Sequence, residues 1–244
     1  MTYFSSFPTV QYKFGNENTP DLFRNIAIYS TVVDQIKNEQ SLYEDIIIVE
    51  NERPDQVSYR LYNNPNFHWT FFLMNDKLRG RGWPLSNAEL LRFAQRKFPD
   101  TSLNTSSALI TFTSFFKPGD VVTGRSSGAT GTIVRRDLNL GKIIVTKTTG
   151  EFIAGESIET SGTTQLVEIS GVVDEYLGVH HYENGGVFVD VESNGIPSPG
   201  ASDVPVTILD ELHRQNNDLK QIRVIKRNNV NRIASSFKEA LSSE

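Results

Sequence analysis

Two neighbouring histidines, His180 and His181, lie among Asp174, Glu175 and Glu183. Imidazoles among carboxylates are the material of a metal site or a proton-transfer pair. Adjacent residues of a strand point to opposite faces, so only one of the two can join any single site. A histidine in a polar connection is the plainer expectation. Gly124 to Gly131 (GRSSGATG) has the glycine density of a phosphate cradle. It lacks a G-K-[ST] ending and runs into the strand-like GTIVRR, not into a helix whose N-terminus would hold an anion. A hairpin loop is expected there instead. The chain has no G-x-S-x-G, no H-E-x-x-H and no P-loop. Its 29 acidic residues are set at no legible separation, so no glycosidase pair can be named. Cysteine is absent, which excludes disulfides, thiolate zinc sites and cysteine nucleophiles and fits a reducing cytoplasm. The expectation is a chain with no catalytic set, no metal and no cofactor.

The elements that must position any site are spread over 244 residues, enough for one large domain or two small ones. The formal net charge of -5 speaks against a nucleic-acid surface. No apolar run approaches the ~20 residues of a membrane span, and the N-terminus has no basic region followed by an apolar one, so neither a membrane nor a cleaved leader is expected. The charge is uneven. Lys77 to Lys97 holds six bases against one acid, Glu89, and Arg214 to Lys238 holds seven against Asp218. Such runs are solvated helix faces or docking surfaces for acidic partners.

Residues 1–41 read as an arm with five early aromatics, Tyr3, Phe4, Phe7, Tyr12 and Phe14, which fold back on the core or lie across another chain. LYEDIIIVE (42–50) reads as a strand. Arg53-Pro54 breaks it, and Val57 and Leu61 share a face of a helix over 55–61. Asn66 is read as the cap of a helix from Phe67 to Met74 with Trp69, Phe72 and Leu73 on one face. Ser86 and Glu89 have capping-box spacing for the next helix, which Pro99 stops. DTSLNTSSA (100–108) reads as a polar linker. From 109 to 173 short strands alternate with turn signals such as Pro118-Gly119 and Leu140-Gly141, which predicts a small barrel or sandwich. Within it, Phe116-Lys-Pro-Gly-Asp120 recurs as Phe152-Ile-Ala-Gly-Glu156, 36 residues later. Residues 174–205 read as a strand or hairpin and a loop. The segment 206–244 carries a helix over 210–219, a strand at Ile222–Ile225 and a last helix capped by Asn228-Asn229, with Ile233, Phe237 and Leu241 spaced by four.

The most specific segment is RPDQVSYRLYNNPNFHWTFFLMNDKLRGRGW (53–83). Arg53-Pro54, Tyr62-Asn63-Asn64-Pro65, Trp69, Asn75-Asp76 and Gly82-Trp83 follow in an order that resembles the baseplate wedge family of contractile-tailed phages, typified by the gene-53 product of T-even phages. Asp21-Leu22-Phe23-Arg24-Asn25 is similar to the family's short N-terminal element, and Asn217 to Ile225 with Asn228-Asn229 to its closing strand and helix. The match covers about the first 100 and last 35 residues. The stretch 109–205 has no counterpart and reads as a β insertion. Residues 45–76 also fit the β-α-α half of a LysM-like fold.

The resemblance implies an α+β fold: a LysM-like core at 42–99, an extended arm, the β insertion and the C-terminal strand and helices. It implies a structural virion protein of the tail baseplate, made in the host cytoplasm, present in six copies, which joins wedge and hub proteins and clamps neighbouring wedges without catalysis. Interface candidates are Phe4, Phe7, Phe23, Arg24, Tyr62, Arg79, Arg81, Trp83, Arg223, Lys226 and Arg227. Trp69 is expected in the core, and Trp83 either in the core or as an interface anchor. Two other readings stand beside this one: a peptidoglycan-binding LysM module using the groove near Pro54, Tyr62 and Asn63, and a cell-wall hydrolase built on the insertion.

Overall fold

The computed structural model describes residues 9–12, 21–24, 40–105, 115–161, 166–193, 196–197 and 199–242. In chain order the elements are β1 (Thr9–Tyr12), β2 (Asp21–Arg24), β3 (Tyr43–Ile47), α1 (Pro54–Tyr62), α2 (Trp69–Met74), α3 (Asp76–Arg81) and α4 (Asn87–Lys97). Strands β4 (Thr101–Thr105), β5 (Val121–Gly124), β6 (Thr130–Asp137), β7 (Lys142–Thr149), β8 (Ser157–Thr160) and β9 (Val167–Asp174) follow. Then come β10 (Val179–Asn184), β11 (Val187–Val189), β12 (Glu192–Ser193), β13 (Ile196–Pro197), β14 (Val204–Thr207), α5 (Ile208–Lys220), β15 (Gln221–Ile225) and α6 (Arg227–Ser242). The chain is α+β. It divides into two compact units: residues up to Ser86 with those from Asn216, and Asn87–Gln215. The expected segments 42–99 and 206–244 therefore each contribute to both units.

In the first unit β3 pairs antiparallel with β15, Ile46 opposite Ile222. Pro54 starts α1, where its missing N–H costs nothing. Asn63 ends it in the left-handed region, φ 55°, with its N–H on the Tyr59 carbonyl at 2.8 Å; asparagine tolerates this geometry better than most residues. The expected helix from Phe67 to Met74 is two pieces, a 3₁₀ turn (Pro65–Phe67) and α2. The cap belongs to Asn64, whose side chain accepts from the Asn66 N–H at 2.9 Å, and not to Asn66. Proline at 65 fixes the turn's φ, so the cap falls immediately before it. Asn228 and Asn229 lie inside the first turn of α6, which already starts at Arg227.

The core of this unit is Val57, Phe71, Met74, Leu78, Ile222, Val224, Ile225, Val230 and Ile233, with Tyr62 among them. Tyr62, read from sequence as an interface residue, is 8% exposed and donates its hydroxyl to the Ile225 carbonyl at 2.8 Å. It joins α1 to β15 from the inside, and burial pushes its phenol well above the ordinary range. Tyr62→Phe is expected to lose about 1–2 kcal/mol, because the Ile225 carbonyl is left unpaired; a shifted urea midpoint with an unchanged slope checks it. Trp69, expected in the core, is half-buried and stacks on the buried Phe237 ring, centroids 5.2 Å apart, so it covers the core rather than filling it. At the N-terminus β1 and β2 form an antiparallel pair, Thr9 opposite Arg24. Phe4 and Phe7 lie outside the described residues.

The second unit holds a closed six-stranded barrel in the order β4-β7-β6-β5-β8-β9. The stretch expected as a linker from 100 supplies a barrel stave: β4 pairs with both β7 and β9. Its sequence, TSLNT, is polar, yet Thr101, Ser102, Leu103 and Thr105 are buried. The Thr105 hydroxyl donates to the Gly141 carbonyl, so part of the polarity is satisfied internally. The GRSSGATG loop joins β5 to β6 as a hairpin, as expected. The barrel is filled by Leu103, Phe116, Val122, Ile133, Ile143, Val145, Phe152, Ile158, Val167 and Ile169.

The 36-residue echo is a structural repeat. Val121 pairs with Thr132 and Ser157 with Glu168; Val122 pairs with Gly131 and Ile158 with Val167. Gly119 and Gly155 donate to Ile133 and Ile169 at 2.8 and 2.7 Å. Lys117 and Ile153 each donate their N–H to the carboxylate three residues on, Asp120 and Glu156, both at 2.7 Å. The two phenylalanines are both buried in the barrel. Beyond it, β10 lies between β11 and β14 in a three-stranded sheet, and Gly185-Gly186 make the two-residue turn of the β10–β11 hairpin at φ 59° and 82°.

Candidate interaction surface

The two basic runs meet in the first unit. Lys77, Gly80 and Arg81 of α3 and Asn217, Asp218 and Gln221 of the α5–β15 corner line an open cleft of about 630 Å³. Asn75 holds α2 and β15 together here. Buried, it donates to the Phe71 and Arg223 carbonyls, both at 2.8 Å, and accepts from the Arg223 N–H at 2.9 Å. Leu85 and Asn216 add a reciprocal pair, N–H to side-chain oxygen and side-chain amide to carbonyl, each at 2.8 Å. Lys77 donates to the Asp218 carbonyl across the cleft.

The candidate residues divide by what their charges meet. Arg79 pairs with Asp76. Arg223 lies 3.8 Å from Asp45 and covers the Tyr43 ring at 5.0 Å. Lys226 donates to the Ser41 carbonyl at 3.0 Å. Among the described residues, Arg81 and Arg227 make no ion pair and no side-chain hydrogen bond, and both are exposed. Arg227 opens α6, a first turn without an acid, where a cation opposes the helix dipole. Trp83 is half-buried, with its indole N–H on the Glu52 carbonyl at 2.7 Å and its ring 6.0 Å from those of Phe71 and Phe72. It is anchored to the core and presents only part of itself outward. Phe23 and Arg24 belong to β2; their side chains lie outside the described residues.

Glu52 is tied down in turn. Arg60 grips its carboxylate at 2.6 and 2.8 Å, and this hydrogen bonding holds the carboxyl below its ordinary range. The segment from Arg53 to Trp83 is thus cross-braced: Glu52 meets Arg60 and Trp83, and Ser58 donates to the Asn64 carbonyl at 2.6 Å. Lys77, Gly80, Asn217 and Gln221 are not singled out by the sequence. The signals for them are the pair of basic runs and, for Asn217 and Gln221, the segment from Asn217 to Ile225.

The histidine pair stands in the second unit and departs from the strand alternation. The β10–β14 register shifts between Val179 and His181, leaving His180 as the extra residue of a bulge. Both rings consequently meet, Nδ1 to Nδ1 at 2.8 Å, instead of pointing apart. His181 Nε2 meets Glu183 at 2.8 Å, and Glu183 accepts from Arg214 at 2.6 Å. Burial, and next the neighbouring His181, push His180 down from the ordinary imidazole value, which favours the neutral ring. Among the described residues no three His, Asp or Glu side chains converge as metal ligands do.

The fold and surface define an α+β protein with a cleft that carries Lys77 and Arg81 on one unit and a β-barrel in the other. No protein-family model and no curated protein matches the chain.

Proposed function

We propose that the chain is a structural subunit of a contractile-tail baseplate wedge that binds partner proteins through the first unit. The observation that carries this is the ordered motif of residues 53–83, every landmark of which contributes to the fold. Pro54 starts α1, Asn63 ends it, Trp69 stacks on Phe237, Asn75 ties α2 to β15 and Trp83 is fixed to Glu52. The order β3, α1, α2 with β15 returning beside β3 supports a LysM-like arrangement of that unit. The unpaired Arg81 and the adjoining Lys77 suit an acidic segment on a neighbouring wedge or hub protein. The role is assembly, in six copies, not catalysis.

Reconstitution with the tail proteins encoded beside the chain tests it. Lys77→Glu with Arg81→Glu is expected to weaken wedge assembly about tenfold or more, with a salt dependence that the parent shows and the variant loses. Cryo-electron microscopy of tails from the source phage should place the chain in six-fold copies. Intact tails without it would overturn the reading, and capture on insoluble peptidoglycan would move it to a glycan-binding module.

A further inference from the structure

Between the β6–β7 turn and the β10–β11 hairpin, within the second unit, lies a cavity of about 220 Å³. Asp137, Asn139, His180, His181, Phe188 and Asp190 are among its walls. The Phe188 ring is stacked on His181, centroids 5.6 Å apart at 28°, yet is 67% exposed. One face is covered by the imidazole and the other is open to the cavity mouth. Three polar groups around it keep hydrogen-bonding capacity that no protein group uses among the described residues. The Asn139 side chain makes no hydrogen bond. Asp137 uses only Oδ1, accepting from the Leu140 N–H at 3.3 Å. His180 uses only Nδ1, on His181.

The ligand chemistry follows by elimination. The lining acids Asp137 and Asp190 repel phosphates and carboxylates. Among the described residues the acids and imidazoles do not converge on a point, an arrangement that does not suit a metal ion. The volume is below the 300–1,000 Å³ typical of drug-sized ligands and suits one small ring. That ring needs an apolar face for Phe188 and hydroxyls that both donate and accept, to serve a carboxylate acceptor, an amide and an imidazole together. We propose that this cavity binds one ring of a neutral sugar, with Phe188 as the stacking platform and Asp137, Asn139 and His180 bonding its hydroxyls. This site is separate from the cleft that carries Lys77 and Arg81 and does not depend on the wedge reading.

Saturation-transfer NMR on the full chain tests it, with the methyl glycosides of glucose, galactose, mannose and N-acetylglucosamine as probes. Saturation of ring protons is expected for at least one of them, with a Kd of about 1 mM. Phe188→Ala and Asn139→Ala should each weaken it about tenfold or more, while Phe188→Tyr keeps it; both positions are exposed, and an unchanged melting curve verifies the fold. No transfer to any of the four, transfer that survives both alanine variants, or binding of tetramethylammonium in place of the sugars would each overturn the proposal.

Discussion

Glu156→Ala is expected to destabilise the barrel-bearing unit by about 3 kcal/mol and to abolish an acid transition that the parent shows. Glu156 is 4% exposed. Its Oε2 accepts from the Ser126 and Ser127 N–H groups at 3.1 and 2.9 Å, and its Oε1 from the Ser127 hydroxyl and the Ile153 N–H at 2.9 and 2.7 Å. One carboxylate therefore clips the β5–β6 hairpin loop to the turn before β8. The approach is close enough to require Gly124: a Cβ there would lie 2.4 Å from Ser127 Oγ and 2.6 Å from the carboxylate. Hydrogen bonds to a charged acceptor contribute about 1.5–3 kcal/mol each, not additively, and alanine strands three amides.

Burial pushes the Glu156 carboxyl up, but the hydrogen bonds from Ile153, Ser127 and Ser126 outweigh it and hold it below the ordinary value of 4.5. A carboxyl depressed by folding contributes stability that is complete above 4.5 and is lost as the pH falls through its folded value. Calorimetry of the parent from about pH 7 down to about pH 3 should show this loss, and Glu156→Gln should flatten it. Amide exchange at Ser126, Ser127 and Ile153 should quicken in both variants. An alanine variant within about 1 kcal/mol of the parent would refute the clip.

Phe71→Ala is expected to cost the first unit about 4 kcal/mol, the upper part of the range for emptying an aromatic site in a packed core. Phe71 is fully buried and lies between two rings, Tyr62 at 6.1 Å and Trp83 at 6.0 Å. Neither can follow the lost ring, because the Tyr62 hydroxyl is held by Ile225 and the Trp83 indole by Glu52. A cavity that cannot collapse is at the costly end of the scale. The chain's two tryptophans, Trp69 and Trp83, both belong to this unit, so fluorescence-detected denaturation reports on it directly. A midpoint shift worth less than about 2 kcal/mol would mean that the site relaxes after all.

What the sequence discloses and what it hides have physical causes. Pro54, the Val57–Leu61 spacing and the aromatic cluster around Trp69 act locally, so α1, the neighbourhood of α2 and their order are legible. The barrel is legible as alternating short strands between glycine turns. Its first stave is not: β4 is polar and its partners Val145 and Asp174 are distant, so nothing within TSLNT signals a strand. The histidines depart from expectation because alternation assumes an unbroken ladder, and the bulge at His180 breaks it. Tyr62 reads as an interface residue because its partner, the Ile225 carbonyl, is 163 residues away. The basic runs are visible as composition. That Lys77 and Arg81 face Asn217 and Gln221 follows only from the packing of α3 beside the α5–β15 corner.

The pairing of β3 with β15 sets a timetable for synthesis. Among the described residues the one neighbour of Tyr43–Ile47 in its sheet is Gln221–Ile225, which is made well over a hundred residues later. At about 5–20 residues per second, the strand waits on the order of 10–30 s with its hydrogen-bonding edge open. All six barrel strands leave the ribosome within that interval. A nascent chain stalled before residue 221 should therefore carry a finished barrel beside an unfinished N-terminal half, and that half, with Ile46 and Phe71 still uncovered, is where a chaperone would bind.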